Sequence, residues 1–306
     1  MKTKIKTITS YFGLWAFYDL LEWRHNFKKL KNENKKTLSD WRQSLSTKRK
    51  GDVFFILGSG YSINNVTDKQ WEEISKGMSI GFNNWFYHEF IPDCYGLELS
   101  KNESLNQIRA INLKKSNPEL FNRPLFLHYK HAKNSQFDLD QIPWPESKIF
   151  FNLPFSPHTF NKGIIKRLIG YSIRKKNVDR LLHYSASIAM WADLGVALGY
   201  KKIVFVGVDM NDPRYFYYAP NYANQAHDQI KIEQDHYEKS RKNLSIHPTV
   251  DKRTTMKYGS LPVDEFLFLY LSELQKRNPD YQFFVSHPSS RLAQKFKVWD
   301  WHLVST

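Results

Sequence analysis

Short runs of β-branched and aromatic residues that stop at a glycine or a polar cluster recur along this 306-residue chain. They restrict its fold more than any other feature. The first, Asp52-Val-Phe-Phe-Ile-Leu57, has the length and composition of a buried strand and runs straight into Gly58-Ser-Gly-Tyr-Ser62. Comparable strands are expected at Met78–Phe82, Asp93–Leu97, Pro124–His128, Lys148–Asn152, Lys202–Val206 and Tyr281–Val285. Helical segments are expected between or after them at Asp68–Lys76, Glu103–Lys115, Ser185–Leu198, Val263–Gln275 and Ser289–Lys295. Such alternation predicts an α/β fold with a Rossmann-like, mostly parallel sheet and helices on both faces. The stretch 211–255 is polar, aromatic and rich in Asn and His, the composition of a functional lid rather than of core.

Charge is unevenly spread over this plan. The chain carries a net +15, and residues 1–50 hold thirteen Lys or Arg against Asp19, Glu22, Glu33 and Asp40, so +9 of the excess lies there. This divides the chain into a basic, aromatic amino-terminal extension, 1–50, and an α/β domain, 51–306. Within the extension, Tyr11 to Trp23 reads as a helix with aromatic and Leu residues over most of its circumference, followed by Arg24, Lys28, Lys29, Lys31, Lys35 and Lys36. That composition suits an anchor on an anionic membrane surface; it equally suits a helix packed on the domain with its lysines in water. A second basic helix is expected where Lys162, Lys166, Arg167, Arg174, Lys175, Lys176 and Arg180 are interleaved with Ile164, Ile165, Leu168, Ile169 and Ile173. Neither patch carries an RNA-recognition signature, a zinc-finger spacing or a heptad repeat, which disfavours nucleic acid. No apolar run is long enough to span a bilayer. The lysine-rich start lacks the long apolar core and small-residue cleavage site of a secretory signal, and the lone Cys94 fits a reducing compartment.

Ligands of open α/β sheets bind beyond the carboxyl ends of the strands, and three polar clusters fall at such ends. Gly58-Ser59-Gly60 lets backbone N–H groups approach a phosphate, although the spacing is neither a dinucleotide fingerprint nor a P-loop and also fits a plain tight turn. Gly81-Phe-Asn83-Asn84 offers amides able to read a base or ribose. Gly207-Val-Asp209 ends a strongly apolar strand, where a carboxylate needs a partner or a task. Asp209 fits either a ligand contact or a tie between the strand end and the lid.

These clusters, in this order, resemble the bacterial family 42 sialyltransferases. The family's opening Gly-Asn-Gly-Pro-Ser turn is matched by Gly58-Ser-Gly-Tyr-Ser62, and its Cys-Asn-Gln-Phe segment by Phe82-Asn83-Asn84-Trp85. Its most distinctive stretch corresponds to Ala186-Ser187, Ala197-Leu-Gly-Tyr-Lys201, Ile203 to Val206 and Gly207-Val-Asp209. A lid tyrosine falls on Tyr217, and a Pro-x-Ser-x-Leu-Ala segment on Pro288 to Ala293. Departures occur at Tyr95-Gly-Leu-Glu98, where the family has an Asn after its third strand, and at Asn211, which takes the place of another lid tyrosine. The family's lid histidine is assigned to His247, with His227 as the competitor.

The resemblance implies a GT-A-like sialyltransferase fold. It also implies transfer of a 2-keto sugar acid, sialic acid-like or 3-deoxy-manno-octulosonic acid, from its CMP ester to a hydroxyl of a bacterial surface glycan. The reaction would invert the anomeric centre and use no metal or other cofactor. His247 would act as base and Tyr217 would steady the leaving phosphate, while Gly58, Ser59, Gly60, Ser62, Asn83, Ser187, Gly207, Asp209 and Asn211 would hold the nucleotide. Tyr215, Tyr217 and Tyr218 fit lid packing as well. The expected partners are the CMP-sugar donor, a glycan or glycolipid acceptor such as lipopolysaccharide or capsule, and an anionic membrane. The expected place is the cytoplasm, peripheral on the inner face of the plasma membrane; oligomeric state is left open. Two alternatives stand beside it: a phosphoryl transferase of the pterin diphosphokinase type, and a non-catalytic, membrane-recruited nucleotide-binding protein of the same fold. Metal-dependent transfer would call on Asp138-Leu-Asp140, which lies in a loop before Pro143.

Overall fold

The computed structural model describes residues 14–45, 50–98, 111–112, 118–129, 142–175, 177–223, 228–240, 242–257 and 259–301. Eight strands among them form one sheet: β1 (Val53–Leu57), β2 (Met78–Phe82), β3 (Cys94–Leu97), β4 (Leu125–His128), β5 (Ile149–Asn152), β6 (Lys202–Val206), β7 (Gln282–Val285) and β8 (Lys297–Val298). Their spatial order is β5-β4-β3-β2-β1-β6-β7-β8, and each pairing is parallel. The chain therefore builds outward on one side of β1, then returns to build on the other. The topological switch lies between β1 and β6, where Leu57 is in register with Val206 on one side and Gly81 on the other.

Side chains alternate across this sheet with the period of two that a pleated strand imposes. Phe54, Ile56, Ile80, Cys94, Phe126, Ile203 and Phe205 enter one core layer, with the helices Lys162–Lys175, Ser187–Ala197 and Val263–Gln275 above them. Phe55, Leu57, Tyr95, Leu97, Leu125, Leu127, Val204 and Val206 enter the other, with Ile74 of the helix Asp68–Lys76 and the aromatic residues that follow β2 and β6. Every residue of β1 is buried, as expected of the central strand of a doubly covered sheet. The helix Ser187–Ala197 is buried all round. Its one carboxylate, Asp193, is tolerated because Ser172 Oγ, the Leu182 N–H and the Tyr270 hydroxyl all donate to it.

The expected boundary at residue 50 does not mark a break in packing. A helix spans Leu14–Asn32, longer than the segment Tyr11 to Trp23 and including most of the basic tract. Its Trp23 Nε1 donates to the Leu153 carbonyl at 2.6 Å, and its Asp19 accepts from the His158 N–H at 2.7 Å. Farther on, the Phe151 N–H donates to the Lys36 carbonyl at 2.7 Å, so the chain here runs beside the edge strand β5. Leu38 and Trp41 of the helix Leu38–Ser44 then enter the core, Trp41 meeting Phe126 edge-on. The extension thus completes one edge of the domain.

At the carboxyl end, the expected helix Ser289–Lys295 is instead a single 3₁₀ turn, Arg291–Gln294, with Ser290 capping it through the Leu292 N–H. The expected helix Glu103–Lys115 lies almost wholly outside the described residues, as do Asp138, Asp140 and His227.

Candidate active site

A cavity of about 380 Å³ opens beyond the carboxyl ends of β1, β2, β3 and β6, at the topological switch. Gly58, Ser59, Gly60, Asn83, Ser187, Gly207, Asp209, Tyr217 and His247 all line it. They come from six separate stretches of sequence and meet there because the parallel sheet brings its strand ends to one edge.

The first wall is the turn after β1. Gly58 N–H donates to the Val206 carbonyl at 2.8 Å and Gly60 N–H to the Gly207 carbonyl at 2.7 Å, so the turn lies flat against the end of β6. A Cβ on Gly60 would sit 2.7 Å from Asp209 Oδ2 and from the Gly207 carbonyl oxygen, which leaves glycine as the residue that fits. Asp209 clamps the turn. It accepts from the Ser62 N–H at 2.8 Å and from Ser62 Oγ at 2.5 Å. Its tie therefore runs to the opening turn rather than to the lid, and Ser62 belongs to that clamp rather than to the cavity wall. Burial raises the Asp209 carboxyl above its ordinary value, against the two Ser62 bonds that lower it.

The second wall follows β2 and β3. Asn83 has φ 53°, a left-handed conformation held by its own side chain, whose Oδ1 accepts from the Glu98 N–H at 3.2 Å. That leaves the Asn83 Nδ2 group to donate. Ser185 and Met210, also at φ 61°, line the same cavity, so backbone strain is concentrated at its rim. The neighbouring Asn84 Nδ2 donates to the Tyr217 hydroxyl at 2.8 Å.

The third wall is the start of the helix Ser187–Ala197. Ala186 at its N-cap supplies no side-chain oxygen; the Ala189 N–H turns back to the Ala186 carbonyl at 3.2 Å, and Ser187 and Ile188 before it line the cavity. Beside it lie two ionisable groups absent from the expected site, Glu98 at the end of β3 and His183 before the helix. His183 Nε2 stands 3.0 Å from Glu98 Oε1, and His183 Nδ1 stands 3.2 Å from Ser156 Oγ. Burial alone would raise the Glu98 carboxyl and strip the proton from His183. Each group outweighs that effect on the other, so Glu98 is held well below its ordinary range and His183 above its own. No local spacing announces this pair.

The fourth wall comes from the region 211–255. It is not all lid: Phe216 and Tyr217 are fully buried, and the Phe216 N–H donates to the Ser59 carbonyl at 2.9 Å, which fastens this segment to the opening turn. Tyr215 stacks on Tyr217. His247 is fixed by its own N–H, which donates to the Met210 carbonyl at 3.0 Å, and by its Nδ1, which lies 2.9 Å from Thr249 Oγ1. In one tautomer Nδ1 accepts from the Thr249 N–H at 3.4 Å; in the other Nδ1 carries the proton, Thr249 Oγ1 accepts it, and Nε2 holds the lone pair. Asn211 does not line the cavity; its Nδ2 donates to the Ser289 carbonyl at 2.5 Å and ties the segment to the loop after β7. Arg214, another residue outside the expected set, lies at the cavity over the Tyr61 ring, with the guanidinium carbon 3.9 Å from its centre, and is paired with Asp212 at 2.7 Å.

Two solved structures match this chain. One is the sialyltransferase CST-II in complex with a trisaccharide acceptor and CMP, at 13% identity and a TM-score of 0.41, the match covering 83% of this chain and 88% of that one. The other is the sialyltransferase CstII from Campylobacter jejuni in complex with a substrate analogue, cytidine-5'-monophosphate, at 13% identity and a TM-score of 0.41, covering 85% of this chain and 88% of that one. Compared with family models and with curated proteins, the sequence matches none. At this distance the function has to be argued from the cavity itself.

Each carboxylate that lines the cavity is already engaged: Glu98 by His183, Asp209 by Ser62 and Asp212 by Arg214. Among the described residues, no group of three or more His, Cys, Asp or Glu is arranged to hold a metal ion.

Proposed function

We propose that this chain is a glycosyltransferase that moves a 2-keto sugar acid from its CMP ester to a hydroxyl of a surface glycan, with inversion and without a metal. The observation that carries this reading is the convergence on one cavity of the turn Gly58–Gly60, which lacks bulky side chains and lets a ligand come close although its two glycine N–H groups are spent on the Val206 and Gly207 carbonyls, the amide of Asn83, the open helix start at Ser187 and an imidazole, His247. The first three suit a nucleoside monophosphate; the last suits a proton in transit.

In this reading the acceptor oxygen attacks the anomeric carbon as the bond from that carbon to the phosphate oxygen breaks. The electron pair of that bond leaves with CMP, and the acceptor's proton passes to His247 Nε2. A glycosyl–phosphate bond that breaks through an oxocarbenium-like state needs little nucleophilic push, so one neutral imidazole is sufficient base near neutral pH. Charge then grows on the departing phosphate. The Tyr217 hydroxyl, which accepts from Asn84, would donate its own proton toward that charge, together with the N–H groups at Ser187. Arg214, already paired with Asp212 at the cavity, would share its guanidinium with the carboxylate that a 2-keto sugar acid carries.

Purified protein incubated with a panel of CMP-activated 2-keto sugar acids and oligosaccharide acceptors tests this directly, with CMP release followed chromatographically. Acceptor-dependent release that survives EDTA supports the reading. Failure to bind or turn over any CMP-sugar overturns it, and an ATP- and Mg²⁺-dependent phosphorylated product would place the chain with the phosphoryl transferases instead.

A further inference from the structure

The helix Leu14–Asn32 has two distinct faces, and the catalytic reading uses neither. Ala16, Asp19, Trp23 and Leu30 recur at helical spacing and point into the protein, where Trp23 and Asp19 make the hydrogen bonds to Leu153 and His158. Phe17, Leu21, Arg24, Lys28 and Lys31 recur at the same spacing on the opposite side, and all are exposed. Phe17 is 64% exposed, Tyr18 beside it 57% and Leu21 47%. A large aromatic side chain left this open beside two other large apolar ones is a costly arrangement in water.

The outer stripe is also graded along its length. Its amino-terminal half is apolar and its carboxyl-terminal half is basic. A second basic surface adjoins it. The guanidinium of Arg180 lies 5.1 Å from the Trp23 ring centre and 4.5 Å from that of Tyr171, so the helix Lys162–Lys175 lies next to the first one. That helix contains no acidic residue; its Lys166, Arg167 and Arg174 are exposed, and Tyr171 among them is 39% exposed.

We propose that this face docks the protein on an anionic lipid bilayer, with Phe17, Tyr18 and Leu21 entering the headgroup boundary and the basic residues of both helices resting on lipid phosphates. Charge selects this occupant. A nucleic acid would satisfy the lysines and leave the apolar tip in water, whereas an anionic bilayer meets both halves at once. Among the described residues no helix is long and apolar enough to cross a membrane, so the contact is with the surface. A transferase held there would meet a lipid-linked acceptor in the plane of the membrane.

The test is co-sedimentation of the full-length protein with vesicles of phosphatidylcholine alone and of phosphatidylcholine mixed with phosphatidylglycerol. Binding is expected only to the mixed vesicles. Phe17→Ser, Tyr18→Ser and Leu21→Ser combined should weaken it by at least about tenfold, since burial of apolar side chains supplies most of the insertion energy. Arg24→Gln with Lys28→Gln should weaken it and flatten its dependence on salt. Because these side chains face away from the domain, melting temperatures of the variants should match the parent, and turnover of a soluble substrate offers a second check of folding. Absence of binding to phosphatidylglycerol vesicles, or equal binding by the apolar triple variant, overturns the proposal. So does light scattering that shows a dimer which the triple variant dissociates, because the face would then belong to a second copy of the chain.

Discussion

Glu98 and His183 form a half-buried ion pair at 3.0 Å in the cavity wall, joining the end of β3 to the segment that leads into the helix Ser187–Ala197. The two residues are far apart in sequence, and each would be penalised by burial without the other. His183 is raised from its ordinary 6.5, so its contribution to stability is complete below that value and fades as pH rises through the folded-state value. Glu98 is lowered from its ordinary 4.5, so its contribution is present above that value and fades only in strong acid. The pair is therefore strongest between mildly acidic and neutral pH. Glu98→Gln is expected to cost about 1–3 kcal/mol near pH 6, below the penalty for a fully buried pair because both side chains keep some exposure to the cavity, and less still at high pH, where His183 is neutral in both proteins. Urea unfolding across a pH series reads this. A difference that does not vary with pH would mean that the pair is not ionised.

A second expectation concerns the Ser62–Asp209 clamp. Asp209→Ala removes both acceptors and leaves the buried Ser62 N–H and hydroxyl without their partner. The loss in stability should be about 1–3 kcal/mol. The opening turn would then be held less firmly, and nucleotide affinity should fall by more than any change in turnover at saturating donor. Calorimetric titration with CMP, set beside a melting curve, separates these effects. Unchanged affinity would make the clamp a matter of folding alone.

The same turn gives a sharper steric test. In Gly60→Ala the new methyl group would sit 2.7 Å from Asp209 Oδ2 and from the Gly207 carbonyl oxygen, and the second of these is backbone that cannot swing aside. The turn must move away from β6. Overpacking of this kind costs about 1–3 kcal/mol, and CMP binding should be lost while the helical circular dichroism signal is kept. An alanine variant that binds CMP like the parent would show that the close approach has no part in recognition.

How much of this was legible in the sequence follows from how local each feature is. β6 could be read to the residue and β1 to within one, because a continuous β-branched and aromatic run ends at glycine in both. β8 could not: Lys297 and Val298 are exposed and form no apolar run. The turn Arg291–Gln294 looked helical because one 3₁₀ turn and one α turn share a hydrophobic spacing. At the site, Gly58, Asn83, Ser187 and Gly207 could be grouped because each follows or begins a regular element on the same sheet edge. Asn211 could not be placed, since its Ser289 partner belongs to a distant loop. The amino-terminal helix could be read as either packed or exposed from composition alone. The structure gives it one face of each kind, which residue counts do not resolve.

The last expectation concerns His247, whose Nδ1 lies 2.9 Å from Thr249 Oγ1. If its Nε2 takes the acceptor's proton, His247→Gln should lower turnover by about 10²–10⁴-fold, the usual contribution of a general base, while leaving CMP affinity nearly unchanged. The acidic limb of the pH–rate profile, which reports the imidazole losing its proton as pH rises, should disappear with it. Thr249→Val is the positioning test. It removes the hydroxyl that can accept the Nδ1 proton but leaves the ring in place, so turnover should fall less than in the glutamine variant and the acidic limb should shift rather than vanish. A glutamine variant with parental turnover would assign the proton to another group.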